Sequence, residues 1–416
     1  MKNGWLKGSS LFYALLISIL IALICTALIS VAYYNRLLNE YDRTLERLLR
    51  NAESGMQWLQ AAEEREIPAR VFDLYGDGQD SVKVKKEQWG LFYVAHCEAF
   101  QRTLRGHSRS SRSGLLGSNY PAYQKMALYL QDNFKPLTLS GLTRIEGIAF
   151  VPQAGVKSGY VDGTSFQGEQ LIAGERRLSN RGLPPTVEPM LQRLEAQFGR
   201  RDSISSGFLP DTLQQSFGAP TQFFRARRFD LGSQRLSGNI CLIADSLVTI
   251  GRGAQLEDIL IFAPSIQVEA GFEGSVQLFA QQQLDIGRGA QLRYPSVAML
   301  IPSNVQTRPS LRLAKEASLS GMLMIYSKQT KNAFAGIKLE TNSTVEGLLY
   351  ANTSLELSGS ILGTAICSGF ILRTAASAYD NHLFNTRIIA PERSPHYIAP
   401  AIMAVNGTTK IAKWLD

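Results

Sequence analysis

Acid–base chemistry on a sugar or an ester needs two carboxylates facing one another across a substrate. The chain offers few such pairs. Glu257 and Asp258 are adjacent and read as a solvated corner. Asp285 and Glu356 sit at the centres of apolar-x-apolar triplets, in a series of central residues that runs Thr249, Gln267, Asp285, Arg312, Lys338, Glu356. One acid falls among the first three, so no acidic pair stacks there. His96, His107, His382 and His396 are dispersed, and no second pair at ligand spacing accompanies His96-Cys97. GxSxG, HExxH and the phosphate-binding P-loop are absent from the sequence. These residues point to no catalytic group, cofactor or metal, and the chain reads as non-enzymatic.

One cluster has chemistry of another kind. Arg102, Arg105, Arg109 and Arg112 lie within QRTLRGHSRSSRS. Their spacing suits one helical face, whereas Gly106 and the serines favour a basic loop. In either form they are the candidate anion contact, to lipid head groups or an acidic partner. The formal charge of +8 favours anionic surfaces, and no nucleic-acid motif accompanies it. Of four cysteines, Cys25 lies in an apolar stretch. The other three are an odd count, which excludes a complete disulfide framework. A Cys241–Cys367 bridge stays open beside the alternative of small buried thiols.

The elements that carry these residues begin with an anchor. Residues 11–34 hold no charge, and a spanning helix needs about 20 residues. The apolar pattern then continues as a heptad stripe: Leu38, Leu45, Ala52 and Leu59 in one position, Tyr41, Leu48, Gly55 and Ala62 in the other. A single helix is expected from about Leu11 to about Arg65, stopped by Pro68. The stripe can pack on the next domain or on another such helix. Arg36, Arg43, Arg47 and Arg50 outnumber Lys2 and Lys7, which by charge count alone puts the carboxy-terminal side in the cytoplasm.

The leader Lys7-Gly8-Ser9-Ser10-Leu11, the apolar run and the emerging Tyr33-Tyr34-Asn35-Arg36 resemble the amino end of type IV minor pilins and secretion pseudopilins. The resemblance covers about the first 60 residues. It implies cleavage between Gly8 and Ser9, an inner-membrane single-pass helix, and a carboxy-terminal domain on the periplasmic side or cell surface. Tyr13 stands where most pilins carry Glu.

Further along, the triplets Val248-Thr249-Ile250, Ile266-Gln267-Val268 and Leu284-Asp285-Ile286 recur every 18 residues, and IGRGAQL occurs twice. Leu311-Arg312-Leu313, Ile337-Lys338-Leu339 and Leu355-Glu356-Leu357 continue the series after one loop near Ser327–Phe334. The outer members of each triplet should face a core and the middle one solvent. This predicts a mainly β fold, a right-handed parallel β-solenoid of about 18-residue coils, behind a long transmembrane and stalk helix. It resembles β-helix domains generally and, in coil length, the polymerising bactofilins.

The expected organisation is a leader (1–10), transmembrane helix (11–34), helical stalk (35–67), α+β connecting region (68–136), first coils (137–182), an insertion with a short helix near Met190–Ala196 (183–233), the main solenoid (234–375) and a cap (376–416). Trp89-Gly90-Leu91 is expected where the stalk meets the body. The functional expectation is a structural or interaction protein of the bacterial cell envelope. Its partners would be membrane lipid, pilin-like or envelope proteins or itself through Leu38, Tyr41, Leu45, Leu48, Ala52 and Leu59, and glycan, with no nucleic acid. Two alternatives stay open: an envelope-tethered β-helix carbohydrate-active enzyme, and a cytoplasm-facing bactofilin-like scaffold.

Overall fold

The computed structural model describes residues 9–76, 78–101, 108–202, 208–302, 308–328 and 336–415. They form two compact units. One comprises Met1–Gly55, Arg70–Lys83 and Cys97–Ser111; the other comprises Met56–Ala69, Val84–His96 and Arg112–Asp416.

A single helix, α1, runs Ser9–Ala61. At 1.5 Å per residue it is roughly 80 Å long. It is long and apolar enough to cross a membrane. Residues 10–43 are exposed. The Ser18 hydroxyl donates to the Ala14 carbonyl at 2.8 Å and Thr26 to Ala22 at 2.9 Å, so these polar groups are satisfied without water. Leu48, Ala52, Met56 and Leu59 are fully buried. In the first unit Arg47 and Asn51 both bind the buried Asp80 carboxylate, at 2.7 and 2.9 Å. In the second, the Lys86 ammonium donates to the carbonyls of Leu59 and Ala62 at 3.3 and 3.4 Å, which caps the helix at its negative end.

Strands β1 (Ile67–Phe72), β2 (Asp80–Trp89), β3 (Phe92–Gln101) and β4 (Arg109–Asn119) form a sheet in that order, completed by Thr408–Trp414, which runs antiparallel to β4. Gly90 and Leu91 alone join β2 to β3, which makes the pair an antiparallel hairpin. A short helix, α2 (Pro121–Gln124), follows, and α3 (Glu188–Phe198) comes later.

Most of the second unit is a closed sheet of parallel strands. Arg235–Ile250, Gln255–Val268 and Glu273–Ile286 pair in turn, and the pairing continues through Gln291–Leu300, Ser318–Ile325, Thr344–Leu357 and Ser360–Arg373. The triplets stack in register: Val248 on Ile266 on Leu284, then Leu311, Ile337 and Leu355. Their outer members are buried in one continuous core. At one corner Gly321, Gly347 and Gly363 lie one above another at φ of +142°, +129° and +143°. A Cβ on Gly347 would meet the Gly321 carbonyl oxygen at 2.2 Å and the Tyr397 ring at 2.6 Å, so only glycine fits.

Several segments differ from the sequence boundaries. Residues 137–182 are not the first coils of the stack. Met126–Leu130, which the sequence assigned to a connecting region, pairs with Ala365–Cys367; Arg144–Glu146 pairs with Arg387–Ile389. This part therefore adds beyond the last long strand. Residues 183–233 are not an insertion between neighbouring coils: they carry the chain back to the other end, where Gln222–Leu231 pairs with Arg235–Ile250. Nor are residues 376–416 a simple cap, since Arg387–Ile389 belongs to the stack and Thr408–Trp414 joins β4. A parallel strand pairs with any matched edge, near or far in sequence, so a local period cannot say at which end it docks.

The cysteines are all free. Cys367 faces the interior core, whereas Cys241, several strands away, lies outside it. The Cys241–Cys367 bridge is therefore absent.

Candidate functional site

Two strand positions of the stack face outward yet are buried. One ladder runs Cys241, Leu260, Gln277, Val297, Met322, Leu348, Thr364. The other runs Ile243, Phe262, Phe279, Met299, Met324, Tyr350, Ile366. Helix α3 and the β2–β3 turn cover part of this face. Phe198 of α3 meets Phe262 edge-on with centroids 5.3 Å apart, and Phe262 stacks on Phe279 at 4.6 Å. The Gln277 side chain accepts from Leu91 N–H at 2.9 Å and donates to the Trp89 carbonyl at 3.4 Å, so one amide fixes the turn. Gly90 has φ +62°, and a Cβ there would sit 2.0 Å from Gln277 Oε1.

Helix α3 begins with Glu188 in its first turn beside Pro189, both favourable at an N-terminus. Met190, Leu191 and Leu194 form its buried face. At its other end Arg225 donates to the carbonyls of Phe198 and Arg200, at 3.2 and 2.7 Å.

Between α3, the hairpin turn and the stack lies a cavity of about 580 Å³, lined by Glu66, Lys85, Glu87, Gln88, Trp89, Arg193, Gln197, Arg200, Thr221, Phe223, Cys241, Leu260 and Phe262 among others. A second, of about 400 Å³, shares Glu66, Gln88 and Arg193 as walls and adds Arg65, Tyr93, Glu188 and Met190. Arg193 and Glu66 form an ion pair common to both. Lys85 pairs with Glu87 at 2.6 Å. The Arg200 guanidinium lies 3.9 Å over the Phe223 ring. Burial raises the Tyr93 phenol above its ordinary range, and burial likewise raises the Cys241 thiol, so neither is ionised near neutrality. Both carboxylates of the first cavity, Glu66 and Glu87, are ion-paired. The groove offers aromatic surface, amides and fixed charges, which suits contact with a ligand by stacking and hydrogen bonding.

The residues singled out by sequence divide. Arg109 and Arg112 lie in β4, three apart on a strand and so on opposite faces; this excludes the one-face helix for that pair. Arg109 pairs with Glu98 at 3.2 Å. Arg102, Arg105 and Gly8 lie outside the described residues, as do residues 329–334 of the expected loop; Ser9 begins α1. The helix stripe splits: Leu38, Tyr41 and Leu45 are exposed, while Leu48, Ala52 and Leu59 are buried. The triplet ladder carries Asp285, Arg312, Lys338 and Glu356 in succession, with Lys338 paired to Glu356 at 3.0 Å and Arg312 to Glu340 at 2.8 Å. Among the described residues, no three His, Cys, Asp or Glu come together as a metal site would require.

Sequence reasoning passed over Gln277, Arg193, Arg200 and Phe223. The signal for the covered face was present in continuous apolar runs, Val297–Leu300, Met322–Ile325 and Leu348–Ala351, which mark strands buried on both sides. No protein-family model, curated protein or solved structure matches the chain.

Proposed function

We propose that this chain is a membrane-anchored, non-enzymatic structural or interaction protein of the bacterial cell envelope. A pilin-like helix holds it in the inner membrane, and a right-handed parallel β-solenoid is presented on the periplasmic side or cell surface. The observation that carries this reading is the division of α1. Its first part is apolar, exposed and self-satisfied in its hydroxyls, as lipid demands; its last part is buried in folded protein. Leu38, Tyr41 and Leu45 continue the apolar stripe at the boundary and are free to pack against a second such helix, from the same protein or another pilin-like one. The mixed-charge triplet ladder supports a non-catalytic surface, because each acid there has a basic neighbour in register or in contact. The groove beside α3 supplies the contact for an envelope protein or glycan.

The competing scaffold reading draws on one observation, the excess of arginine on the carboxy-terminal side of the span. Fusion of a periplasm-active and, separately, a cytoplasm-active reporter after Asp416 in a Gram-negative host decides between them. Periplasmic activity, with a mature amino terminus at Ser9 by mass spectrometry, is the expected result. Cytoplasmic activity overturns the pilin-like reading and puts the inner-membrane scaffold in its place.

A further inference from the structure

A cavity of about 470 Å³ lies where the carboxy-terminal strand meets the first strands of the stack. Its walls come from segments far apart in the chain. Gln214, Gln215 and Ser216 lie on the crossover, Ser237 and Glu257 on the stack, and Trp414 on the last strand. Trp414 is 46% exposed. We propose that this cavity binds a neutral saccharide ring.

Three features point to that ligand. First, an indole with much of its surface in water, set among amides and hydroxyls, offers an apolar face for sugar C–H groups and polar partners for its hydroxyls. Second, the lysine in the wall is already engaged, by two carboxylates. Lys413 Nζ lies 2.9 Å from Glu257 Oε1 and 2.7 Å from Asp258 Oδ2. No cation is left over to recruit a phosphate or carboxylate.

Third, Asp258 is held at a backbone cost. It has φ +53°, whereas the residues with positive φ at the comparable corners of other coils are glycines: Gly238, Gly321, Gly347 and Gly363. An L-residue in this conformation is strained, and glycine would relieve it. Anchoring the last strand does not account for the aspartate, since Glu257 already holds Lys413 without that strain. The carboxylate is nearly buried at the cavity wall, where Ser275 also donates to it at 3.3 Å. A saccharide hydroxyl is the partner this acceptor fits.

The inference rests on the non-enzymatic reading above, and the test separates the two. Full-length protein, in a detergent without a sugar head group, is titrated with short β-1,4-glucose, α-1,4-glucose and β-1,4-N-acetylglucosamine oligomers. Tryptophan fluorescence and calorimetry report binding; mass spectrometry of the oligomers reports cleavage. The expected result is saturable binding of at least one oligomer, uncleaved, weakened about tenfold or more by Trp414→Ala, a loss of about 1.4 kcal/mol. Asp258→Gly relieves the backbone and should remain folded; it is also expected to weaken binding, and it decides the matter if Trp414→Ala does not fold. No saturable binding, or wild-type affinity in the folded variants, overturns the saccharide site and leaves the anchor reading standing. Cleavage overturns the non-enzymatic reading and leaves the site.

Discussion

The same parallel strands present two outward faces, and those faces obey different rules. On the triplet face the outward positions are Thr249, Gln267, Asp285, Arg312, Lys338 and Glu356, all in contact with solvent. On the covered face they are residues such as Phe262, Phe279, Met299, Met324 and Tyr350, each at most 3% exposed. The inner positions are apolar on both. The difference therefore lies in what covers the strand. The chain spends its crossover, α3 and its last residues on one face only. Even the polar residues there are committed: Gln277 to the hairpin turn, and Thr364 to the carbonyls of Tyr123 and Met126 at 3.0 and 2.7 Å. The lesson is that one face stabilises by burial and the other only has to stay soluble and unpaired.

The largest effect should come from alkali. The covered face and the segments over it hold the buried tyrosines. Burial pushes Tyr120 and Tyr294 from 10.0 up to about 12, and it raises Tyr123, Tyr350 and Tyr397 as well. A group raised on folding contributes stability that is fully present below its unfolded value and is lost as pH rises through the folded one. Cooperative unfolding is thus expected between pH about 10 and 12, followed by circular dichroism. Tyr294→Phe removes the ionising group, at the loss of its bond to the Ile398 carbonyl, and should move the alkaline midpoint upward. A midpoint unmoved by both Tyr294→Phe and Tyr120→Phe would place the sensitivity elsewhere than this face.

Next is Phe262→Ala. The ring points away from the interior, yet it is fully buried between Phe198 and Phe279. Truncation should cost about 3–5 kcal/mol, as for an interior phenylalanine. Urea denaturation of the detergent-solubilised protein measures it. A cost below about 1 kcal/mol, as at an exposed site, would mean that the cover does not hold this face closed.

How much of this could be read from sequence follows from the same contrast. The triplet face was legible because apolar and polar residues alternate along the strand and the pattern repeats every 18 residues. Both signals are local. The covered face was not, because a run such as Met322-Leu323-Met324-Ile325 says that both sides are buried without saying by what. Its cover arrives from Phe198, Leu91 and Tyr397, distant residues with no shared period. For the same reason the docking of Met126–Leu130 beyond the last long strand left no trace in its own residues. In α1 the stripe itself was legible. Its division between Leu45 and Leu48 was not, because heptad spacing looks the same on either side of the point where cover begins.

Gln277→Leu separates cover from strand on a finer scale. The side chain keeps its apolar volume, but Leu91 N–H loses its acceptor. A buried unsatisfied donor costs about 1–3 kcal/mol. Hydrogen exchange should show the hairpin turn at Leu91 opening more readily, while the amides of the triplet ladder keep their protection. Loss of protection on both faces together would mean that the two are one cooperative structure.

The smallest effects belong to the triplet face. Lys338 is half exposed and pairs with Glu356. Lys338→Ala should change stability by less than about 0.5 kcal/mol, since an exposed pair gives little beyond what water gives each partner. Lys338→Glu is the more searching test. The register places position 338 directly between Arg312 and Glu356, so the new charge repels one neighbour and attracts the other. The two contributions are of similar size, up to about 1 kcal/mol each in cross-strand pairs, and they largely cancel. A near-neutral result, in added salt and without it, is what a solvated face requires. A cost approaching that of Phe262→Ala would mean that this face, too, is covered, by a second copy of the chain in the purified protein.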